Sequence, residues 1–274
     1  MSNIHIDDIN DERIALYTNY NEPQLFHINE PDPGIFIAET PMVIERAISF
    51  GAKPLSFFVE EGAFNTEAVQ SVLSLTSSDI DVYTAKLSVI NAITGFNLTR
   101  GVIAAFLRPD LPDPGFLLSS SKCVAVLEDI VNPTNIGAIF RSAAALGVDA
   151  MLVTAGSSDP FYRRSARVSM GTVFQVPWTY LPKGDDFVKR LHDADYTVIS
   201  MALCDNCVSI SDPVLKEGEK TAVVFGSEGD GISQKTLEAS DHTAKIPMYN
   251  GVDSLNVAAA SAVTFWELVA RRKA

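Results

Sequence analysis

The chain has 274 residues, 47% hydrophobic and 20% charged, with 34 acidic against 21 basic side chains and a net charge of −13. That length accommodates two domains, or one large one, with a sizeable buried core, and the acidity argues against a large non-specific nucleic-acid surface. No apolar run approaches the roughly 20 residues that span a bilayer, and the polar, acidic start MSNIHIDDIN is no secretory signal, so a cytoplasmic protein without a membrane segment is expected.

The charge is unevenly spread. Asp7, Asp8, Asp11, Glu12, Glu22, Glu30, Asp32 and Glu39 face Arg13 alone in the first forty residues, so over half the excess lies there. Residues 1–33 read as an acidic N-terminal extension with one short helix. From Gly34 strands and helices alternate: helix 42–50 ending at Gly51, strand 55–59, helix 66–75, strand 80–83, helix 86–93 ending at Gly95, and strand 102–107. Residues 34–108 are therefore expected to form a small α/β unit. Pro109, Pro112 and Pro114 oppose both helix and central strand, which makes 109–121 a linker.

The second unit, 122–274, opens with strand 123–127, a turn at Asn132-Pro133-Thr134 and a helix 135–146 closed by Gly147. Strand 150–154, a basic helix 163–170, strand 173–176, helix 187–191 and strand 196–202 follow. Strand 221–225, helix 234–239, strand 243–246 and a last apolar helix 254–271 complete it. Runs such as Ala222-Val223-Val224-Phe225 suit strands buried on both faces of a parallel sheet. The pattern implies an α/β domain with a mostly parallel sheet.

Three cysteines are too few for a disulfide framework and fit a reduced compartment. Cys204-Asp205-Asn206-Cys207 is a lone CxxC read as a surface loop, with no further Cys or His pair at zinc spacing; no metal is expected. The glycine-rich Gly226-Ser227-Glu228-Gly229-Asp230-Gly231 follows a buried strand, where ligands of open α/β sheets gather. It fits neither a Walker loop nor a dinucleotide fingerprint, which disfavours a nicotinamide-dependent enzyme. Asn135 reads as a helix cap or a site residue, and Arg141 as an ion-paired side chain or a phosphate grip. Ser254 reads as the cap of the last helix, leaving Asn256 inside an apolar helix where an amide is out of place.

Three segments in order resemble the SpoU/TrmH-type RNA ribose methyltransferases. Val126-Leu127-Glu128-Asp129 with 135–143 looks like their first motif, 224–233 like the second, and Ile246-Pro247-Met248 with Ser254-Leu255-Asn256-Val257-Ala258 like the third. The match spans about 120–274. Upstream, the segments 34–41 and 101–104 resemble the L30e/L7Ae-like substrate-binding domain often fused to these enzymes. Two positions depart from the family: Ala258 stands where many members have Ser, and Thr40 replaces the Gly that often follows the Glu of the N-terminal domain.

The resemblance implies a deep trefoil knot, S-adenosyl-L-methionine as cofactor, methyl transfer to an RNA ribose 2′-hydroxyl (rRNA or tRNA) and a homodimer packed through the knot and last helix. Phe225, Gly226, Glu228, Gly231, Ile246, Met248, Ser254, Leu255 and Val257 would line the cofactor pocket, with Thr154 nearby. Arg141, Asn135, Glu228 and Asn256 would form the catalytic set. A guanidinium is a poor general base, so Arg141 is better cast as binding the adjacent phosphate and stabilising a developing alkoxide. Arg163, Arg164 and Arg167 would add RNA contacts, as would Arg141. The alternative is a catalytically silent RNA-binding or cofactor-binding relative.

Overall fold

The computed structural model describes residues 3–94, 101–204 and 206–271; the expected helix stop at Gly95 lies outside them. The chain divides into two compact units: one runs to Asp110 and includes Phe161–Phe174, the other comprises Leu111–Pro160 and Gln175 onward. The division after Asp110 falls within the expected linker.

The first unit contains β1 (Asn3–His5), α1 (Ala15–Thr18), α2 (Glu22–His27), β2 (Ile35–Glu39), α3 (Pro41–Ser49), β3 (Lys53–Glu60), α4 (Glu67–Ser74), β4 (Asp81–Ala85), α5 (Leu87–Thr94) and β5 (Val102–Leu107). Its five-stranded sheet runs β1-β4-β3-β5-β2. β1 and β3 are parallel to β4, whereas β5 is antiparallel to β3 and β2. The first 33 residues are no detached extension. β1 pairs with β4, and Ile6, Ile14, Tyr17 and Leu25 are buried in the same core as Phe58 and Ile103. Their acids stay at the surface or at caps: Asp11 accepts from Arg13 N. Widely spaced apolar residues in a polar stretch can still anchor a segment once a sheet edge is available.

Residues 161–174 belong to the first unit rather than the second. Phe161 stacks on Phe36 and on Phe174, Phe174 packs tilted against Phe36, and Arg46 Nη1 donates to Met170 O at 2.7 Å. The basic helix α8 (Arg163–Val168) thus belongs to the first unit. Residues Thr172–Phe174 form a 3₁₀ turn rather than a strand. The strand expected at 173–176 is displaced to Trp178–Tyr180, beyond Pro177, whose carbonyl accepts from Met151 N.

The second unit contains α6 (Pro114–Ser120), β6 (Cys123–Leu127), α7 (Pro133–Leu146), β7 (Ala150–Val153), β8 (Trp178–Tyr180), α9 (Phe187–Asp193), β9 (Tyr196–Met201), β10 (Val208–Ser209), β11 (Lys220–Phe225), α10 (Gln234–Ala239), β12 (His242–Lys245) and α11 (Val257–Phe265). The expected linker therefore holds a helix. Pro114 sits at its first position, where no N–H is required, and Asp113 Oδ1 accepts from Gly115 N and Phe116 N. Leu117 and Leu118 anchor it in the core.

Seven strands form one sheet in the order β10-β12-β9-β11-β6-β7-β8, every pairing parallel. β6 and β11 lie at its centre, with Val124, Val126, Ala222 and Val224 fully buried. From β6 the chain steps outward to β7 and β8, then returns to the other side. The strand order thus reverses between β6 and β11, the kind of crevice where open parallel sheets bind ligands. Cys204 and Cys207, read as a free surface pair, are joined by a disulfide, with Cα atoms 5.2 Å apart.

Candidate active site at the strand ends of the second unit

Both helices that frame the site are capped by a residue other than the expected one. Asn132, not Asn135, caps α7: its Oδ1 accepts from Thr134 N at 2.9 Å, and Pro133 occupies the first helical position. Asn135 is then released from capping and buried, 5% exposed. At the other end, Ser254 does not cap α11. Asn256 does, with Oδ1 accepting from Ala258 N at 3.0 Å.

That cap uses only the oxygen of the Asn256 amide. Its Nδ2 donates to Asn135 Oδ1 at 3.2 Å and to Glu228 Oε1. Asn135 in the first turn of α7, Glu228 in the loop after β11 and Asn256 at the start of α11 are thus joined through one amide group. The carboxylate fixes which end of the amide faces which partner, because Glu228 can only accept.

Beside this triad lies a cavity of about 560 Å³ at the C-terminal ends of β9, β11 and β12. Phe225, Gly226, Glu228 and Gly231 line it from the loop after β11; Ile246 and Met248 line it from the loop after β12, with Ser254, Leu255, Asn256 and Val257 leading into α11. Gly226 is compulsory, since a Cβ there would collide with the backbone of Gly231 and Ile232. Ser227 and Gly231 bond each other's backbones, closing the turn, and Gly231 has φ +71°.

Thr154 does not line this cavity. Its hydroxyl donates to Asp129 Oδ1 at 2.7 Å and accepts from Asp129 N, bracing the loop after β6. Arg141 lies on the exposed side of α7 and has no hydrogen bond or ion pair among the described residues; it neither lines the cavity nor bonds to the triad. The three arginines of α8 stand in the first unit. Arg163 Nε donates to Glu39 Oε1 at 2.7 Å, and Arg167 lies 3.6 Å from Glu39 Oε2. Glu39, its side chain 2% exposed, neutralises part of the cluster expected to contact RNA.

Some cavity residues lie outside the three motifs. Met201, Ala202 and Leu203 form a wall after β9, and Lys245 adds a cation; their only signal was that they end strands. Glu128 is buried; its N–H donates to Phe225 O at 2.8 Å and its Oε1 accepts from Thr236 Oγ1 at 3.0 Å, tying β6 to β11 and α10. Among the described residues no group of three or more His, Cys, Asp or Glu side chains is arranged to hold a metal. No helix there is long and apolar enough to cross a membrane.

The SpoU rRNA methylase family matches residues 122–266, more than half of the chain. The chain belongs to the SpoU rRNA methylase family. An uncharacterized tRNA/rRNA methyltransferase of Mycobacterium bovis is 33% identical over 234 residues, covering 85% of this chain and 80% of the relative. A 23S rRNA (guanosine-2'-O-)-methyltransferase of Escherichia coli is 26% identical over 226 residues, covering 78% and 89%. An AdoMet-bound rRNA methyltransferase from Sinorhizobium meliloti shares the fold, with a TM-score of 0.81 at 22% identity and coverage of 99% and 98%.

Proposed function

We propose that this SpoU-family protein transfers a methyl group from S-adenosyl-L-methionine to a ribose 2′-hydroxyl of RNA, with ribosomal RNA as the first candidate. The observation that carries the reading is the triad Asn135–Asn256–Glu228 beside the 560 Å³ cavity. The cavity residues fit the cofactor. Backbone groups of the Gly226–Gly231 turn suit the adenine edge, Ile246 and Leu255 suit its faces, and the carboxylate of Glu228 suits a cationic ligand. When bound, the cofactor supplies an electrophilic methyl on a sulfonium, so the protein's task is placement and charge stabilisation.

In this reading Asn135 and Glu228, held by Asn256, fix the ribose face, and Arg141 grips a neighbouring phosphate while stabilising charge on the 2′-oxygen. The free guanidinium of Arg141 supports that role. The complete set of Asn135, Arg141, Glu228 and Asn256 favours an active enzyme over a silent relative. The reading includes the family's trefoil knot. It also includes an L30e/L7Ae-like RNA-binding role for the first unit, with Arg163, Arg164 and Arg167 on its RNA side, and a cytoplasmic setting. It further includes a homodimer through the last helix, supported by the exposed Val263 and Trp266.

Calorimetric titration with S-adenosyl-L-methionine, followed by labelled-methyl transfer into bulk rRNA and tRNA from cells lacking the protein, tests the reading. Cofactor binding with methyl incorporation at 2′-oxygens is expected. Binding without labelling of either RNA pool would overturn catalysis.

A further inference from the structure

The segment between β9 and β10 has an unusual duty. β12 lies between those two strands in the sheet, so the chain leaving β9 crosses β12 on its way to β10, with Ala202 bonded to Ala244 near the C-terminal end of β12. That end is where the chain leaves for Ile246 and the cofactor loop. Ala202 and Leu203 line the cavity from one side of the crossing, and Lys245 and Ile246 from the other.

Several contacts join the crossing to β12. Ala202 N donates to Ala244 O at 3.0 Å, Ile210 N to Lys245 O at 2.9 Å, and Lys245 Nζ to Cys204 O at 3.1 Å. The Cys204–Cys207 disulfide closes the crossing. Cys207 is buried, with Sγ 3.4 Å from Ala202 O, while Cys204 is half-buried. Cys204, the less buried of the pair, therefore stands next to Leu203, a cavity residue that is itself 59% exposed.

We infer that Cys204 and Cys207 form a redox modification site that sets the affinity of the adjoining cavity for S-adenosyl-L-methionine. This rests on the cofactor reading of that cavity. A dithiol reductant attacks Cys204 Sγ, the Cys204–Cys207 bond breaks through a mixed disulfide, and the reductant's second thiol closes its own disulfide. Two electrons and two protons pass to the protein, leaving two thiols. A peroxide reverses the change, taking the two thiols to a disulfide and itself to two waters. In the oxidised form the crossing is stapled and the wall is pre-organised for the ligand; in the reduced form, ordering that wall must be met from binding energy. Cys123, buried in β6, takes no part.

The full chain is prepared peroxide-oxidised and dithiothreitol-reduced, with thiol content read by alkylation and mass spectrometry. S-adenosyl-L-methionine is titrated into each form and into a Cys204→Ser, Cys207→Ser variant. Reduction is expected to raise Kd roughly threefold to tenfold, the variant to match the reduced protein and to ignore dithiothreitol. Amide exchange at Ala202 and Ile210 is expected to quicken on reduction, with or without cofactor. Equal Kd values in both forms, a dithiothreitol response that persists in the variant, or failure of peroxide to join the two cysteines would each overturn the inference. If neither form binds the cofactor, the cofactor reading fails; unchanged exchange at Ala202 and Ile210 would then overturn the redox wall separately.

Discussion

Asn256 donates through Nδ2 to Asn135 Oδ1 at 3.2 Å, joining residues 121 apart in sequence, while its own Oδ1 caps α11. One amide thus serves a helix terminus and a binding site together. Asn256→Ala removes both functions and should cost about 1 kcal/mol of stability from the lost cap, with a fall in activity of more than about tenfold. Asn256→Asp keeps the cap oxygen but sets a carboxylate against Glu228. Its melting temperature should drop less than that of Asn256→Ala, with activity equally lost. Thermal melts and kcat/KM on the two variants check this; equal activity in Asn256→Asp and the parent would refute the bridging role.

Arg141 has a different signature because no hydrogen bond or ion pair engages it among the described residues. Arg141→Lys should lower kcat by about a hundredfold, in the range of losing one oriented charge-stabilising group, and leave the S-adenosyl-L-methionine Kd unchanged. Activity near the parent level would remove both the phosphate and the alkoxide roles.

The two glycines at positions 226 and 229 separate fold from freedom. Gly226→Ala drives a Cβ into the backbone of Gly231 and Ile232, so the turn must open and cofactor affinity should fall about tenfold or more. At Gly229 a Cβ meets nothing within 4 Å, and Gly229→Ala should stay within about 0.5 kcal/mol of the parent. Calorimetry on both variants is the check, and similar Kd values for the two would contradict the packing account.

Thr40 has φ +74° and ψ 144° directly after the buried Glu39, a backbone region that a β-branched residue adopts at a cost. Thr40→Gly should therefore stabilise the protein by about 1 kcal/mol, read from urea unfolding. A destabilisation would show that the Thr side chain contributes more than its backbone costs.

Glu267 accepts from Lys216 Nζ at 2.5 Å and Arg271 Nη1 at 2.7 Å. The Lys216 bond first, then the Arg271 bond, hold its carboxyl below the ordinary value of 4.5. A lowered folded-state pKa contributes stability that is present above the unfolded value and lost as pH falls through the folded one. Glu267→Gln should melt below the parent at pH 7, with the gap closing as pH falls through the lowered folded-state value, below the ordinary 4.5. A gap that persists at low pH would mean the effect is packing rather than charge.

Much of the cavity lining is legible in the sequence. Phe225, Gly226 and Ile246 all reach one cavity because each closes or follows a strand of one parallel sheet, and strand ends on one edge must converge. Thr154 also ends a strand, yet Asp129 takes up its hydroxyl, a local competition that no motif spacing reveals. Arg163 and Arg167 were legible as charge but not as partners of Glu39, because the pairing spans 124 residues in the case of Arg163.

By itself the sequence determined the strand–helix alternation, the two-part organisation and the three motif segments that meet at Asn256, since periodicity, glycine and proline act locally. Tertiary structure decided the rest. It drew the acidic first residues into a sheet, sent 161–174 to the first unit, and moved the caps to Asn132 and Asn256. Capping depends on where a chain enters its helix, and that angle is set by distant packing. Shifting each cap released Asn135 and the Asn256 amide nitrogen to meet at Glu228, a meeting that no local rule could assign.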